Sequence, residues 1–164
     1  MVDPHRRRSG LREARLERVH PRELSTARLA RSDGYTLSWW SGLDALRRQR
    51  VTAALSNAHV ALLVDLARHA DLRFDCRLSA EAAQVYKPAP EVYQTAARLL
   101  GVEPAALMLV AAHPLDLRGA RAAGLQTAFV DRPLEYGLGS PARDDPEADQ
   151  SVGDLHELPE RLAG

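Results

Sequence analysis

The sequence predicts an α/β fold, a parallel sheet with helices on both faces. From Leu43 onward, short apolar runs such as LMLVAA alternate with segments of helical periodicity, the order expected of parallel strands joined by crossover helices. The chain has 164 residues, 45% of them hydrophobic, which is enough for one domain with a core of its own and too little for a second. No internal repeat or low-complexity segment breaks the pattern.

Taken in order, LDALRRQR reads as a helix and VTAALS, Val51 to Ser56, as a buried strand that ends at the polar pair Ser56-Asn57. In HVALLVDLARHADL the positions Val60, Leu63, Val64 and Ala67 fall at helical spacing, and Leu62 and Leu66 widen the stripe, so this helix packs on the sheet. FDCRLS is a short extended piece that leads into a polar helix. In Val85-Tyr86-Lys87-Pro88-Ala89-Pro90 the prolines hold the chain extended and then start the helix PEVYQTAARLLG, for which Gly101 is a natural end cap. LMLVAA, Leu107 to Ala112, is a strongly apolar strand. His113-Pro114-Leu115-Asp116 follows, then the helix DLRGARAAG closed by Gly124 and the strand QTAFVD. RPLEYGLGSPARDDPEAD reads as an irregular surface loop, and SVGDLHELPERL as a short strand or loop followed by a terminal helix.

Charge excludes several function classes. The 22 basic and 22 acidic side chains cancel, so no net field draws the molecule to nucleic acid or to an anionic membrane. Residues 1–32 nevertheless hold nine arginines against Asp3, Glu13, Glu17 and Glu23, a net +5, and the remainder carries −5. Without interleaved aromatics or a recognition fold, this stretch reads as a solvated, poorly ordered arm and not as an RNA-binding element. Arg6-Arg7-Arg8 is followed by the charged stretch LREARLERVH, so it does not read as a twin-arginine signal. No stretch approaches a membrane span, and Cys76, the single cysteine, allows no internal disulfide. These features fit a soluble protein of a reducing cytoplasm.

In open α/β sheets, ligands bind at the carboxyl ends of strands. Three polar signals stand at such places: Ser56-Asn57 after the first strand, Lys87 in the loop before a helix, and Asp116 after LMLVAA. Lys87 is the one lysine beside 21 arginines. A compact ammonium suits a place beside a carboxylate where a forked guanidinium takes more room.

The spacing of these signals resembles the haloacid dehalogenase superfamily. The strings ALSNAHVALLVDLA, YKPAPEVYQTAARLLGV, LMLVAAHPLDLRGARAAGLQTAFVDRPLEYG and the closing PEAD…L…L…RL are similar to its type II, (S)-2-haloacid dehalogenase branch. The likeness covers about residues 36–164 and is most specific from Ala54 to Gly137. It implies a Rossmann-like core over residues 36–164, with residues 1–35 as a basic arm or the remnant of a helical cap whose exit survives over Leu37 to Leu46. It also implies displacement of halide from a 2-haloalkanoic acid by an aspartate carboxylate, then hydrolysis of the ester. In that scheme Ser56 and Asn57 donate hydrogen bonds around nucleophile and substrate, Lys87 holds the nucleophile ionised, and Asp116 orients Lys87 or the hydrolytic water. His113 stands where many relatives have asparagine and Ala111 where many have serine. His113 is therefore either a substituted polar contact to the substrate or a loop side chain without a role. AAHPLD offers only one acid where phosphatases of the superfamily place two for magnesium, so the resemblance implies no metal and no other cofactor.

The superfamily's first motif, an apolar strand ending in aspartate, has no counterpart here: Asp3, Asp33, Asp44, Asp65 and Asp75 all lack such a strand before them. That strand and most of the helical cap are expected to be missing, and the nucleophile with them. The strand's place lies between those ending at Ser56 and Ala112, so its absence should either expose two apolar edges or force them to pair. The leading expectation is a hydrolase fragment inactive by itself. Alternatives are a phosphatase or mutase of the same superfamily, or a non-catalytic anion-binding or interaction subunit completed by another chain or a second copy.

Overall fold

The computed structural model describes residues 35–132 and 144–163, with the side chains of residues 35–40 outside that description. The expected arm and the middle of the loop after Asp131 therefore lie outside the described residues. The elements run α1 (Tyr35–Arg47), β1 (Ala53–Ser56), α2 (Val60–His69), β2 (Cys76–Ser79), α3 (Pro90–Leu100), β3 (Met108–Ala111), α4 (Pro114–Ala122), β4 (Gln126–Val130), β5 (Gln150–Val152) and α5 (Leu158–Arg161). All pairing is parallel: Ala53 to Ser56 lie opposite Cys76 to Ser79, Met108 opposite Gln126, and Ala128 opposite Gln150.

Helices cover both faces. On one, Leu43 and Leu46 of α1, with Leu155 and Leu158, pack on Ala128, Val130 and Val152, and Met108 and Val110 of β3 join them. On the other, Tyr93 of α3 and Ala120 and Ala123 of α4 pack with Leu55, Leu107 and Leu109. The alternation of Met108 and Val110 with Leu107 and Leu109 is the period of two that a strand buried on both sides requires.

The strands nevertheless form two sheets, β1-β2 and β3-β4-β5. Among the described residues the outer edges of β1 and β3 carry no ladder partner. Among the described residues the two edges do not pair with each other, so the expected forced pairing is not seen there. Burial reports the same break: Thr127 to Val130 of β4 are at most 1% exposed, whereas every residue of β1 and β3 is only partly buried. Leu55 and Leu109 both pack against the cluster of Tyr93, Ala120 and Ala123, so the half-sheets share one layer of core.

Several local expectations change. Helix α1 begins at Tyr35, ahead of LDALRRQR, and Val51 is 77% exposed and precedes the strand that was expected to contain it. The expected polar helix after FDCRLS is a single 3-10 turn, Ala80–Ala83, begun by the Ser79 hydroxyl on the Glu81 N–H and ended by Gln84 at φ 54°. Helix α3 follows its signals, with Pro90 in its first turn and Gly101 at φ 68° closing it.

Asp75 ties three elements. Its carboxylate accepts the Thr52 N–H at 2.9 Å and the Thr52 hydroxyl at 3.0 Å, and the Arg47 guanidinium at 2.9 and 3.1 Å. The Thr52 N–H first, then Arg47 and the Thr52 hydroxyl, lower its pKa from 3.8 to about 2. A carboxyl depressed on folding adds stability above its unfolded pKa and loses it as pH falls through the folded one. Wild-type protein should therefore lose urea resistance between about pH 4 and about pH 2, and Asp75→Asn should flatten that loss. Parallel pH profiles of the two proteins in urea titrations would remove Asp75 from the acid limb.

Candidate active site

The site is assembled where the two half-sheets meet. Lys87 leaves the loop before α3 and its ammonium donates to Leu55 O of β1 at 3.1 Å and to Asp116 Oδ2 of α4 at 2.7 Å. One side chain thus bridges the carboxyl end of β1 to the helix that follows β3. Both partners are mostly withdrawn from water, with side-chain exposures of 17% and 16%. An ammonium has three N–H donors, and two are assigned here, which leaves one direction for a further acceptor.

Asp116 lies in the first turn of α4, where Pro114 starts the helix and the unpaired N–H groups favour a carboxylate. Its second oxygen, Oδ1, accepts a hydrogen bond from the Tyr93 hydroxyl, which also lies 3.1 Å from Asp116 O. Burial first, and the Asp116 hydrogen bond and charge next, push the Tyr93 phenol far above its ordinary pKa, so it stays a neutral donor. Lys87, Asp116 and Tyr93 form a chain in which each carboxylate oxygen has its own donor. Tyr93 was not among the residues singled out from sequence. It sits inside PEVYQTAARLLG as a 0% exposed position of an amphipathic helix, where a ring is explained by packing alone. The available signal was its spacing: one helical turn after Pro90, in the helix that the Lys87 loop launches.

Ser56 and Asn57 follow Leu55, whose carbonyl accepts the Lys87 ammonium. The Ser56 hydroxyl oxygen accepts the Ala58 N–H at 3.1 Å, which leaves its proton for a ligand. The Asn57 side chain is turned to the Lys87 main chain, accepting its N–H at 2.7 Å and donating to its carbonyl at 3.3 Å. His113 occupies the residue before α4, exposed, with its carbonyl accepting the Asp116 and Leu117 N–H groups at 3.0 and 3.3 Å. Its side chain makes no capping bond to the helix. Three of the five expected residues, Asn57, Lys87 and Asp116, are thus joined by hydrogen bonds, while Ser56 follows Leu55 in β1 and His113 precedes α4. Among the described residues no three His, Cys, Asp or Glu side chains cluster as metal ligands, and no helix is long and apolar enough to cross a membrane.

A loop lysine locked to a helix-start aspartate, on a parallel α/β frame, agrees with what comparison with known proteins finds. A family profile described as haloacid dehalogenase-like hydrolase matches residues 40–124, more than half of the chain. The chain belongs to that family. Its relatives include the (S)-2-haloacid dehalogenase of Pseudomonas sp. (strain YL), 38% identical over 88 residues, covering 52% of this chain and 38% of that enzyme. A solved L-2-haloacid dehalogenase structure superposes with a TM-score of 0.71 at 46% identity, covering 75% of this chain and 54% of the other. The Xanthobacter autotrophicus L-2-haloacid dehalogenase, solved with chloropropionic acid covalently bound, gives 0.65 at 29% identity, covering 76% and 59%. The chain spans about half the length of the relatives it matches.

Proposed function

We propose that this chain carries the lysine half of a 2-haloacid dehalogenase site, working without a metal ion and in the cytoplasm, and that alone it does not turn over. The observation that carries the reading is the Lys87 ammonium, fixed at 2.7 Å from Asp116 with one donor direction left, between two strands, β1 and β3, that each have an edge without a ladder partner among the described residues. A strand added along those edges would pair both and cover the partly buried residues of β1 and β3. A carboxylate at its end would lie beside the free N–H of Lys87, which favours the ionised, nucleophilic form.

The reaction in the completed site is a displacement. A carboxylate oxygen forms a bond to C2 of the halo acid, and the carbon–halogen bond breaks with its electron pair leaving on halide. Water then adds to the ester carbonyl and the 2-hydroxy acid departs, restoring the carboxylate. Lys87 balances charge at the nucleophile, as a cation must where no metal does so. Asp116, held by Tyr93, fixes the direction of Lys87 and lies near enough to order the water. The Ser56 hydroxyl supplies a donor for the substrate carboxylate, and His113 a polar rim. The covalent chloropropionic acid in the Xanthobacter autotrophicus structure supports the ester step in a relative.

The test supplies the other half. The chain is mixed with the portion of the Pseudomonas sp. (strain YL) enzyme that it does not match, and halide release from (S)-2-chloropropionate is followed. Release is expected from the co-purified pair, neither from each part alone nor from a pair built with Lys87→Ala. A verified complex that releases no halide would overturn the dehalogenase reading, and Lys87-dependent release by the chain alone would overturn the claim that it needs completion.

A further inference from the structure

We propose that Asn57 is a positioning residue, whose side chain sets the register of Lys87 and thereby the place of its ammonium. The proposal rests on the reading of Lys87 as the cation of the site, and it gives Asn57 a different task from the substrate contact expected from sequence.

Both functions of the Asn57 amide face one backbone residue. Its carbonyl oxygen accepts the Lys87 N–H at 2.7 Å, and its amide nitrogen donates to the Lys87 carbonyl at 3.3 Å. Two opposed hydrogen bonds to the same residue reproduce a rung of a β-ladder just past the end of β1, in a loop that belongs to no strand. A rung fixes translation along the strand as well as rotation, which a single bond does not. From that anchored backbone the Lys87 side chain returns to Leu55 O at 3.1 Å, two residues before Asn57. The lysine is thus gripped at both ends by one short stretch of chain, and Asp116 closes the arrangement at 2.7 Å. On the far side the Pro88 carbonyl lies against Gly119 of α4, so the loop cannot drift that way.

Asn57 is itself exposed and belongs to neither hydrophobic cluster. Its removal should therefore loosen the ammonium more than it weakens the fold. Because Lys87 is the single lysine, an amine acylating reagent reports on it alone once the Met1 α-amine is separated by peptide mapping. The rate of acetylation of Lys87 by an acetyl succinimidyl ester, at fixed pH without denaturant, measures how often the ammonium leaves Leu55 and Asp116. Asn57→Ala is expected to raise that rate about fivefold or more, the factor that the loss of one net hydrogen bond gives in an opening equilibrium. Asn57→Asp keeps the acceptor for the Lys87 N–H and should fall between Asn57→Ala and wild type. Phe129→Ala, destabilised at a buried position of β4 outside the Asn57–Lys87 contact, separates local release from global unfolding and should label at the wild-type rate while the protein stays folded.

Folded Asn57→Ala or Asn57→Asp protein that labels as wild type would overturn the proposal. So would faster labelling matched by Phe129→Ala at equal stability, since Asn57 would then be only structural. If Asn57→Ala does not fold, Asn57→Asp carries the test by the same comparison. No haloacid enters the assay, so failure of the dehalogenase reading and failure of this one are separately visible.

Discussion

Gly119→Ala is expected to destabilise the protein by about 1–2 kcal/mol, although the substitution lies within helix α4, where alanine is ordinarily preferred over glycine by about 1 kcal/mol. The sign is decided by space. A Cβ on Gly119 would stand 2.3 Å from Pro88 O, 2.9 Å from the Tyr93 ring and 3.0 Å from Pro88 Cβ. Tyr93 is 0% exposed, so its ring has nowhere to turn, and the nearest atom is a main-chain oxygen that moves only with its loop. That loop carries Lys87. Overpacking of this kind ordinarily costs about 1–3 kcal/mol, and here it opposes the helix preference and must exceed it. Urea unfolding checks the prediction: a midpoint at or above wild type would show that α4 and the loop part without strain. A lowered midpoint with faster acetylation of Lys87 would show that the cost is taken at the site itself.

The close approach at Gly119 could not be read from sequence, and the contrast with Lys87 shows where legibility stopped. Lys87 and Asp116 were legible because each is a charged residue at a helix boundary, where packing does not dictate residue type, and Lys87 is the single lysine. Gly119 and Tyr93 sit inside helices whose periodicity already explains them. Only the crossing of α3 and α4 reveals that one makes room and the other donates a hydrogen bond. Asn57 was placed correctly at the end of β1, but the direction of its amide depends on where the Lys87 loop returns.

The strands divide in the same way. β1, β3 and β4 announce themselves as apolar runs, while β5 is three residues, Gln150 to Val152, that form a strand because β4 offers an edge. Asp149 holds that register by accepting the Thr127 N–H at 2.7 Å and its hydroxyl at 3.1 Å, a contact with no local signature. The segment AEAAQ shows the reverse error. Its residues favour helix, yet the chain must turn at once toward the end of β1 to deliver Lys87, and Gln84 at φ 54° breaks the helix after one turn. Local propensity yields where the site dictates the path.

The Lys87–Asp116 pair itself should prove strongly coupled in a double-mutant cycle. Asp116→Leu alone leaves a mostly buried ammonium with Leu55 O as its one described protein acceptor and takes from Tyr93 its carboxylate partner. Breaking a buried pair from one side costs about 3–5 kcal/mol, and the residual exposure of 17% and 16% argues for the lower end, about 3 kcal/mol. Lys87→Met alone should cost less, because Asp116 keeps the Tyr93 hydroxyl and the helix start. The double variant Lys87→Met/Asp116→Leu removes both charges together and their desolvation with them, so it should be more stable than Asp116→Leu, with a coupling of about 1–2 kcal/mol. Urea titrations of the four proteins measure it. Additivity within about 0.5 kcal/mol would mean that water already screens the two groups and that the geometry carries no electrostatic weight. The expected result separates stability from chemistry: if an apolar pair holds β1 to α4 nearly as well, the fold alone does not require the charges of Lys87 and Asp116.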